Sequence, residues 1–106
     1  KLLAITNDGK FLVYILNSTI YLMQLSTKMV IKKVEFYDEE IEKLYFSDLY
    51  LFIVSKSARV FQYQINGLVN LGRIYSSKKD SKITAIKTYN DFIAIGCDNG
   101  NITLKD

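Results

Sequence analysis

The chain has 106 residues, of which 49% are hydrophobic and 13% aromatic, and its formal net charge is +3. This composition supplies a core and excludes an intrinsically disordered chain, while the mild charge lacks the dense basic footprint of a nucleic-acid-binding domain. The single cysteine, Cys97, excludes an internal disulfide and a cysteine-rich metal site. A lone cysteine fits a reducing compartment, so we expect an intracellular location.

Short apolar runs alternate with turn residues along the whole chain. The predicted strands cover residues 2–5, 11–15, 19–25, 29–36, 41–46, 50–54, 59–64, 68–75, 83–87, 92–97 and 102–104. Proline is absent, so the turns depend on Asn, Asp, Ser and Gly, as in Asp8-Gly9 and Asn66-Gly67. The longest apolar runs, 11–16 and 49–54, are far shorter than the roughly 20 residues of a transmembrane helix, so no membrane contact is expected.

Three stretches, 18–24, 58–64 and 100–106, share a turn followed by a strand-forming run. When Ile20, Val60 and Ile102 are aligned, the unit repeats at intervals of about 40 residues, which is typical of β-propeller blades. The sequence therefore predicts an all-β fold: a partial β-propeller of about two and a half four-stranded antiparallel blades, with units at about 1–37, 38–79 and 80–106. A closed ring needs roughly four to eight blades. We therefore expect residues 1–106 to be a segment of one propeller domain that packs against the rest of the same chain.

Two features of the predicted strands bear on packing. Residues 38–45 also fit a helix, since Asp38 could cap it and Ile41, Leu44 and Tyr45 follow helical spacing, but the repeat register favours a strand. The second strand of each unit is apolar throughout, so both of its faces should be covered by neighbouring blades. The residues predicted to be almost fully buried are Leu12, Tyr14, Phe52, Val54, Ile93 and Ile95.

The units resemble WD repeats. Thr6-Asn7-Asp8-Gly9 is similar to the family's first turn, and Thr19 to Gln24 is similar to its Thr-Ile-Arg-Leu-Trp-Asp strand. In the third unit Asp98 matches the tight-turn Asp and Asp106 the terminal Asp, with Lys105 in place of the Trp. The chain contains no histidine and no tryptophan, so the family's His–Ser/Thr–Asp–Trp network cannot form intact in these units.

This resemblance implies a non-enzymatic scaffold that binds other protein subunits within a multi-subunit assembly. In its lysine-, isoleucine- and asparagine-rich composition and its repeat register, the sequence is also similar to an N-terminal blade of the tandem-propeller subunits of the small-subunit processome. This similarity implies a role in ribosome biogenesis and a location in the nucleus or nucleolus, with the cytoplasm as the other intracellular location. Two alternatives stay open. One is an RNA-contacting propeller subunit of a ribonucleoprotein, and the other is an enzyme whose site lies in further blades.

The absence of histidine excludes a histidine base, a Ser-His triad and a histidine metal ligand within this segment, so no catalytic residue, metal or cofactor is predicted. An acidic loop could bind a cation, and a basic loop could bind phosphate, although solvated loops explain both. The two loops occupy equivalent positions in successive units, so we expect them side by side on one propeller face, where they steer a partner or pair with each other. The candidate partner-binding residues are Asp38, Glu39, Glu40 and Glu42 on the acidic loop and Lys78, Lys79 and Lys82 on the basic loop.

Overall fold

The computed structural model describes residues 2–6, 8–37, 39–76 and 81–105, and within them the regular elements are strands of three antiparallel sheets. The first sheet contains β1 (Leu2–Ile5), β2 (Phe11–Leu16), β3 (Thr19–Gln24) and β4 (Met29–Glu35). The second contains β5 (Ile41–Ser47), β6 (Tyr50–Ser55), β7 (Arg59–Gln64) and β8 (Val69–Ser76). The third contains β9 (Ile83–Tyr89), β10 (Phe92–Cys97) and β11 (Ile102–Lys105).

Within each sheet every strand pairs with the next one along the chain, because tight turns reverse the backbone between them. At the β2–β3 turn both Asn17 and Ser18 have positive φ, 51° and 67°, the conformation whose twist matches that of paired strands. Residues 41–45 belong to β5, so the strand predicted from the repeat register is confirmed and the helical alternative is wrong. No helix in the described ranges is long and apolar enough to cross a membrane.

The first and second sheets pack face to face around one apolar cluster. Val13 of β2 lies opposite Leu22 of β3, and both are buried. Across the interface the second sheet contributes Leu51, Ile53 and Phe61 to the same cluster. The Phe61 ring meets Phe36 edge to face, with ring centroids 5.0 Å apart, so the residue that follows β4 closes this core.

The second and third sheets pack around another cluster, and the second sheet is therefore covered on both sides. Phe52, Val54 and Val60 face the third sheet, which contributes Ile86 and Ile95 among its buried residues. Leu51, Phe52, Ile53 and Val54 are consecutive in β6 and all lie at or below 1% exposure. Such continuous burial requires a sheet on each face. For β6 this confirms the prediction that an apolar second strand is covered on both faces.

The predicted burial of Leu12 and Tyr14 is wrong. Both are half-buried, whereas their neighbours Val13 and Ile15 are buried. Successive side chains of a strand point to opposite faces, and Leu12 and Tyr14 lie on the face of the first sheet that turns away from the second. There Tyr14 stacks on Tyr21 with ring centroids 4.8 Å apart. The other predicted core residues, Phe52, Val54, Ile93 and Ile95, are buried.

The two outer faces of the three-sheet stack are apolar. On the first sheet Leu3 and Ile5 are 67% and 56% exposed, and on the third Ile102 and Leu104 are 73% and 66% exposed. The first strands of the sheets lie beside one another, β1 near β5 and β5 near β9. The side chains on these faces are therefore apolar, like those buried between the sheets. That the units at about 1–37, 38–79 and 80–106 form a segment of one domain stays a prediction.

Candidate partner-binding face

The described residues of the two loops predicted to bind a partner lie at one end of the sheets, where two matching hydrogen bonds hold Glu40 and Lys82. The Lys56 backbone N–H donates to the Glu40 carbonyl over 2.9 Å, and the Asp98 N–H donates to the Lys82 carbonyl over 2.8 Å. Glu40 and Lys82 therefore precede equivalent strands, β5 and β9, at equivalent positions. We call this end the loop face and define it by Glu39, Glu40, Glu42, Lys56 and Lys82. The predicted site residues Asp38, Lys78 and Lys79 lie outside the described residues.

Glu39 binds its own blade. Its carboxylate pairs with Arg59 Nη1 at 2.7 Å and accepts a hydrogen bond from the Ser57 hydroxyl. Ser57 in turn bonds to Ser55 Oγ over 2.9 Å, and Ser55 Oγ accepts the Arg59 backbone N–H. The Glu39 side chain is 15% exposed. It therefore anchors the β4–β5 loop to the β6–β7 turn and positions the loop face.

The environment of Glu39 favours its ionised form. Burial raises the pKa of this carboxyl and is the largest single effect, but the hydrogen bonds from Arg59, Ser57 and Ser55 together outweigh it and hold the pKa below its ordinary value of 4.5. A carboxyl whose pKa is lowered on folding stabilises the fold above its unfolded pKa, and this stabilisation is lost as pH falls through the folded pKa.

This dependence of stability on pH gives a prediction for Glu39→Gln. Wild type should exceed the variant in free energy of unfolding by a constant amount at neutral pH, and the difference should shrink as pH falls below about 4.5. Urea denaturation of the full protein between pH 7 and pH 3 measures it. Glu40→Gln is the matched control, because its carboxylate belongs to the same loop but its ion pair is exposed, and its effect should stay within about 0.5 kcal/mol. A difference that is unchanged at acid pH would show that the Glu39 network does not stabilise the fold.

Glu40 and Lys82 are the exposed charges of the loop face. Glu40 pairs with Lys56 at 3.0 Å, and the two side chains are 71% and 59% exposed, so solvent screens the pair. Lys82 is exposed and has no carboxylate within ion-pair distance among the described residues. In the part of the chain that the structure describes, the acidic loop thus pairs with its own blade and not with the basic loop.

Among the described residues, two clefts open between neighbouring sheets at the loop face. The first, about 250 Å³, lies between the β2–β3 turn and the β4–β5 loop and is lined by Glu39 and Glu40. The second, about 460 Å³, lies between the β6–β7 turn and residues 81–83 and is lined by Glu42, Lys56 and Lys82. Glu42 falls at a register shift between β5 and β6, a local bulge that redirects its side chain. The sequence prediction missed Lys56 and Arg59, although their place beside the predicted 56–57 turn, next to an acidic loop, could have indicated them.

Cys97 is 8% exposed at the end of β10, and its sulfur lies 3.7 Å from the Tyr75 hydroxyl. Cys97 therefore belongs to the core cluster between the second and third sheets. Among the described residues no group of three or more His, Cys, Asp or Glu side chains has the spacing of a metal site.

Comparison with solved structures identifies the architecture. The chain superposes on KlHsv2, in a form whose loop 6CD is replaced by a Gly-Ser linker, with a TM-score of 0.65, 14% identity and coverage of 96% of this chain and 33% of that one. It superposes on the C-terminal WD40 domain of Sif2 with a TM-score of 0.61, 16% identity and coverage of 98% and 30%. The fold is that of β-propeller blades. No protein-family model and no curated protein matches the sequence.

The three sheets are thus propeller blades, two with four strands and one with three in the described chain. The chain spans about a third of the length of the two solved structures. At these identities the likeness concerns the fold, and the loop face must be judged by its own residues.

Proposed function

We propose that this propeller segment is a non-enzymatic scaffold that binds other protein subunits of a larger assembly through its loop face. The observation that carries the proposal is the placement of Glu40 and Lys82 at equivalent positions on consecutive blades, each held by a backbone hydrogen bond to a hairpin turn. Rigid strands that present exposed charged loops supply the kind of surface that partners recognise. We further propose that the assembly is the small-subunit processome or another complex of ribosome biogenesis. This proposal is based on the lysine-, isoleucine- and asparagine-rich composition of the sequence.

The geometry separates two roles within the acidic loop. Glu39 is held by Arg59 and Ser57, so it positions the loop. Glu40 and Lys82 are exposed, and Glu42 lines the larger cleft, so these side chains are accessible to a partner. Exposed charges at the rim of an interface mainly set the association rate and its dependence on salt.

The test reverses the charges of both loops in the full protein. Glu40→Lys and Glu42→Lys are combined with Lys78→Glu, Lys79→Glu and Lys82→Glu, and Glu39 is left unchanged to preserve the loop. We expect capture of the native assembly on a surface to slow about tenfold at low salt, with a smaller difference at high salt because ions screen the charges. Surface-binding kinetics at two salt concentrations measure this.

A matched control carries Lys10→Glu and Asp91→Lys, exposed charges in the β1–β2 and β9–β10 turns at the opposite end of the sheets. This control should bind like wild type. Unchanged association of the loop-face variant at low salt would remove these loops from the interface. Two further variants reverse the acids alone or the lysines alone. Capture that is lost when the lysines are reversed, strengthened when the acids are reversed and steeply salt-dependent would favour the RNA-contacting alternative.

A further inference from the structure

In the part of the chain that the structure describes, the strand order of the first sheet places β4 beside β3 alone, so the outer edge of β4 has no paired strand. The Phe36 N–H donates to the Ser18 carbonyl over 2.8 Å, which shows that Phe36 directs its backbone groups towards the β3 side of the strand. Backbone groups of an edge strand alternate between its neighbour and the open side. Val34 therefore bonds towards β3, whereas Lys33 and Glu35 present their N–H and C=O groups outward.

The corresponding edge of the second sheet is protected. Strand β8 carries two register shifts against β7, and Gly72 within it has φ of 100°. The Asn70 side chain accepts the Gly72 backbone N–H over 2.7 Å, so a donor of this strand is already satisfied internally. Bulges and internal partners of this kind blunt a sheet edge against an added strand. Strand β4 has a single shift, beside Leu22 and Met23, and its 32–35 stretch pairs regularly.

The side chains of β4 define what could pair with it. Met29 and Ile31 are 63% and 50% exposed, and Lys32 and Lys33 are exposed beside them. Neither lysine has a carboxylate within ion-pair distance among the described residues. The one acid of the strand, Glu35, already accepts hydrogen bonds from Thr19 over 3.0 Å and from Tyr37 over 2.7 Å. Tyr37 is the main reason that the pKa of Glu35 is lowered.

Among the described residues this edge therefore carries outward backbone groups without a paired strand, exposed apolar side chains and a net positive charge from two lysines and one glutamate. Like charges that face each other across a strand pair are destabilising, so the lysines disfavour pairing with a second copy of the same strand. They favour a strand that alternates acidic and apolar residues. An extended peptide that adds to a sheet edge gains main-chain hydrogen bonds, and its alternate side chains provide specificity.

We propose that the outer edge of β4 binds an extended acidic segment of a partner protein as an added fifth strand. The proposal goes beyond the scaffold function, because it concerns a strand edge instead of the loop face. It requires access to the outward N–H and C=O groups of Lys33 and Glu35, and these lie on the last strand of the first sheet.

The test uses the full protein and a fluorescent peptide of about seven residues that alternates Glu and Val, the length of a typical strand. A peptide that alternates Lys and Val is the charge control. A Glu-Val peptide with N-methyl groups on alternate amides is the backbone control, since it cannot form the ladder. We expect only the unmethylated acidic peptide to bind in fluorescence anisotropy, and hydrogen exchange at the Lys33 and Glu35 amides to slow when it does.

Two variants separate backbone from charge. Lys33→Pro removes an outward N–H that β3 does not use, a position where a sheet tolerates proline, whereas Lys33→Gln removes only the charge. We expect Lys33→Pro to bind the acidic peptide about tenfold more weakly than Lys33→Gln. Arg73→Gln, on the protected β8, should bind like wild type. Equal affinity of the Lys33 variants, equal binding of the acidic and basic peptides, or sensitivity to the loop-face reversals would each overturn the proposal. The slowed exchange at Lys33 and Glu35 in wild type is independent of how any variant folds.

Discussion

Replacement of Phe52 by alanine should destabilise the full protein by about 3–5 kcal/mol. The Phe52 ring is 0% exposed and lies in the cluster between the second and third sheets, beside Val54 and Ile95. Truncation removes the buried ring and leaves a cavity that rigid sheets on both sides cannot close.

Urea denaturation and the melting temperature measure this effect. Leu49→Ala is the control, since Leu49 lies in the adjacent β5–β6 turn and is 69% exposed, and it should change the free energy of unfolding by no more than about 0.5 kcal/mol. A Phe52→Ala protein with wild-type stability would contradict the packing of the second sheet on the third.

Replacement of the preceding residue, Leu51, should cost about 2–5 kcal/mol for a different reason. Leu51 is 0% exposed but points to the opposite face of β6, into the cluster shared with Val13 and Leu22 of the first sheet. Since the two side chains serve different interfaces, Leu51→Ala should loosen the first sheet and Phe52→Ala the third.

Hydrogen exchange of individual amides separates the two effects. Leu51→Ala should speed exchange mainly in β2 and β3, and Phe52→Ala mainly in β9 and β10. The same exchange pattern in both variants would show that the blades do not open independently and that the second sheet transmits strain to both neighbours.

A comparison of the buried internal faces with the exposed outer faces shows how stacked blades are stabilised. Leu51 and Phe52 are buried because a sheet lies on each side of β6, whereas Leu3 and Ile102 stay exposed on the ends of the stack. A face with this composition is stabilised when another sheet covers it, as the two internal interfaces show. Stability in this architecture therefore depends on neighbouring blades more than on any single sheet.

The loop face shows why predicted charges differ in role. Glu39 and Glu40 are adjacent in sequence and equally acidic, and both were predicted to bind a partner. Glu39 is turned inward by Arg59 and Ser57, which lie well beyond it in the chain, while Glu40 remains exposed beside Lys56. The sequence shows that the loop is charged. Whether a given carboxylate anchors the loop or faces solvent depends on the side chains that contact it in the fold.

Local chemistry was sufficient to place most strands and turns, and hence the all-β class. Asn17-Ser18 and Asp98-Asn99-Gly100 reverse the chain where the sequence predicts, because these residue types accept turn conformations regardless of distant contacts. The period of about 40 residues was also visible in the sequence, since each blade repeats the same turns and apolar runs.

Only the tertiary structure decided which face of each strand is covered. The sequence of β2 is apolar on both sides, so it could not distinguish Leu12 and Tyr14 from Val13 and Ile15, and the first pair was wrongly predicted to be buried. The second sheet covers Val13 and Ile15 because the stacking order places it on that side. The anchoring of Glu39 and the difference between the open β4 edge and the protected β8 edge have the same origin. They depend on which residues, distant in sequence, the fold brings together, and local propensity carries no information about those contacts.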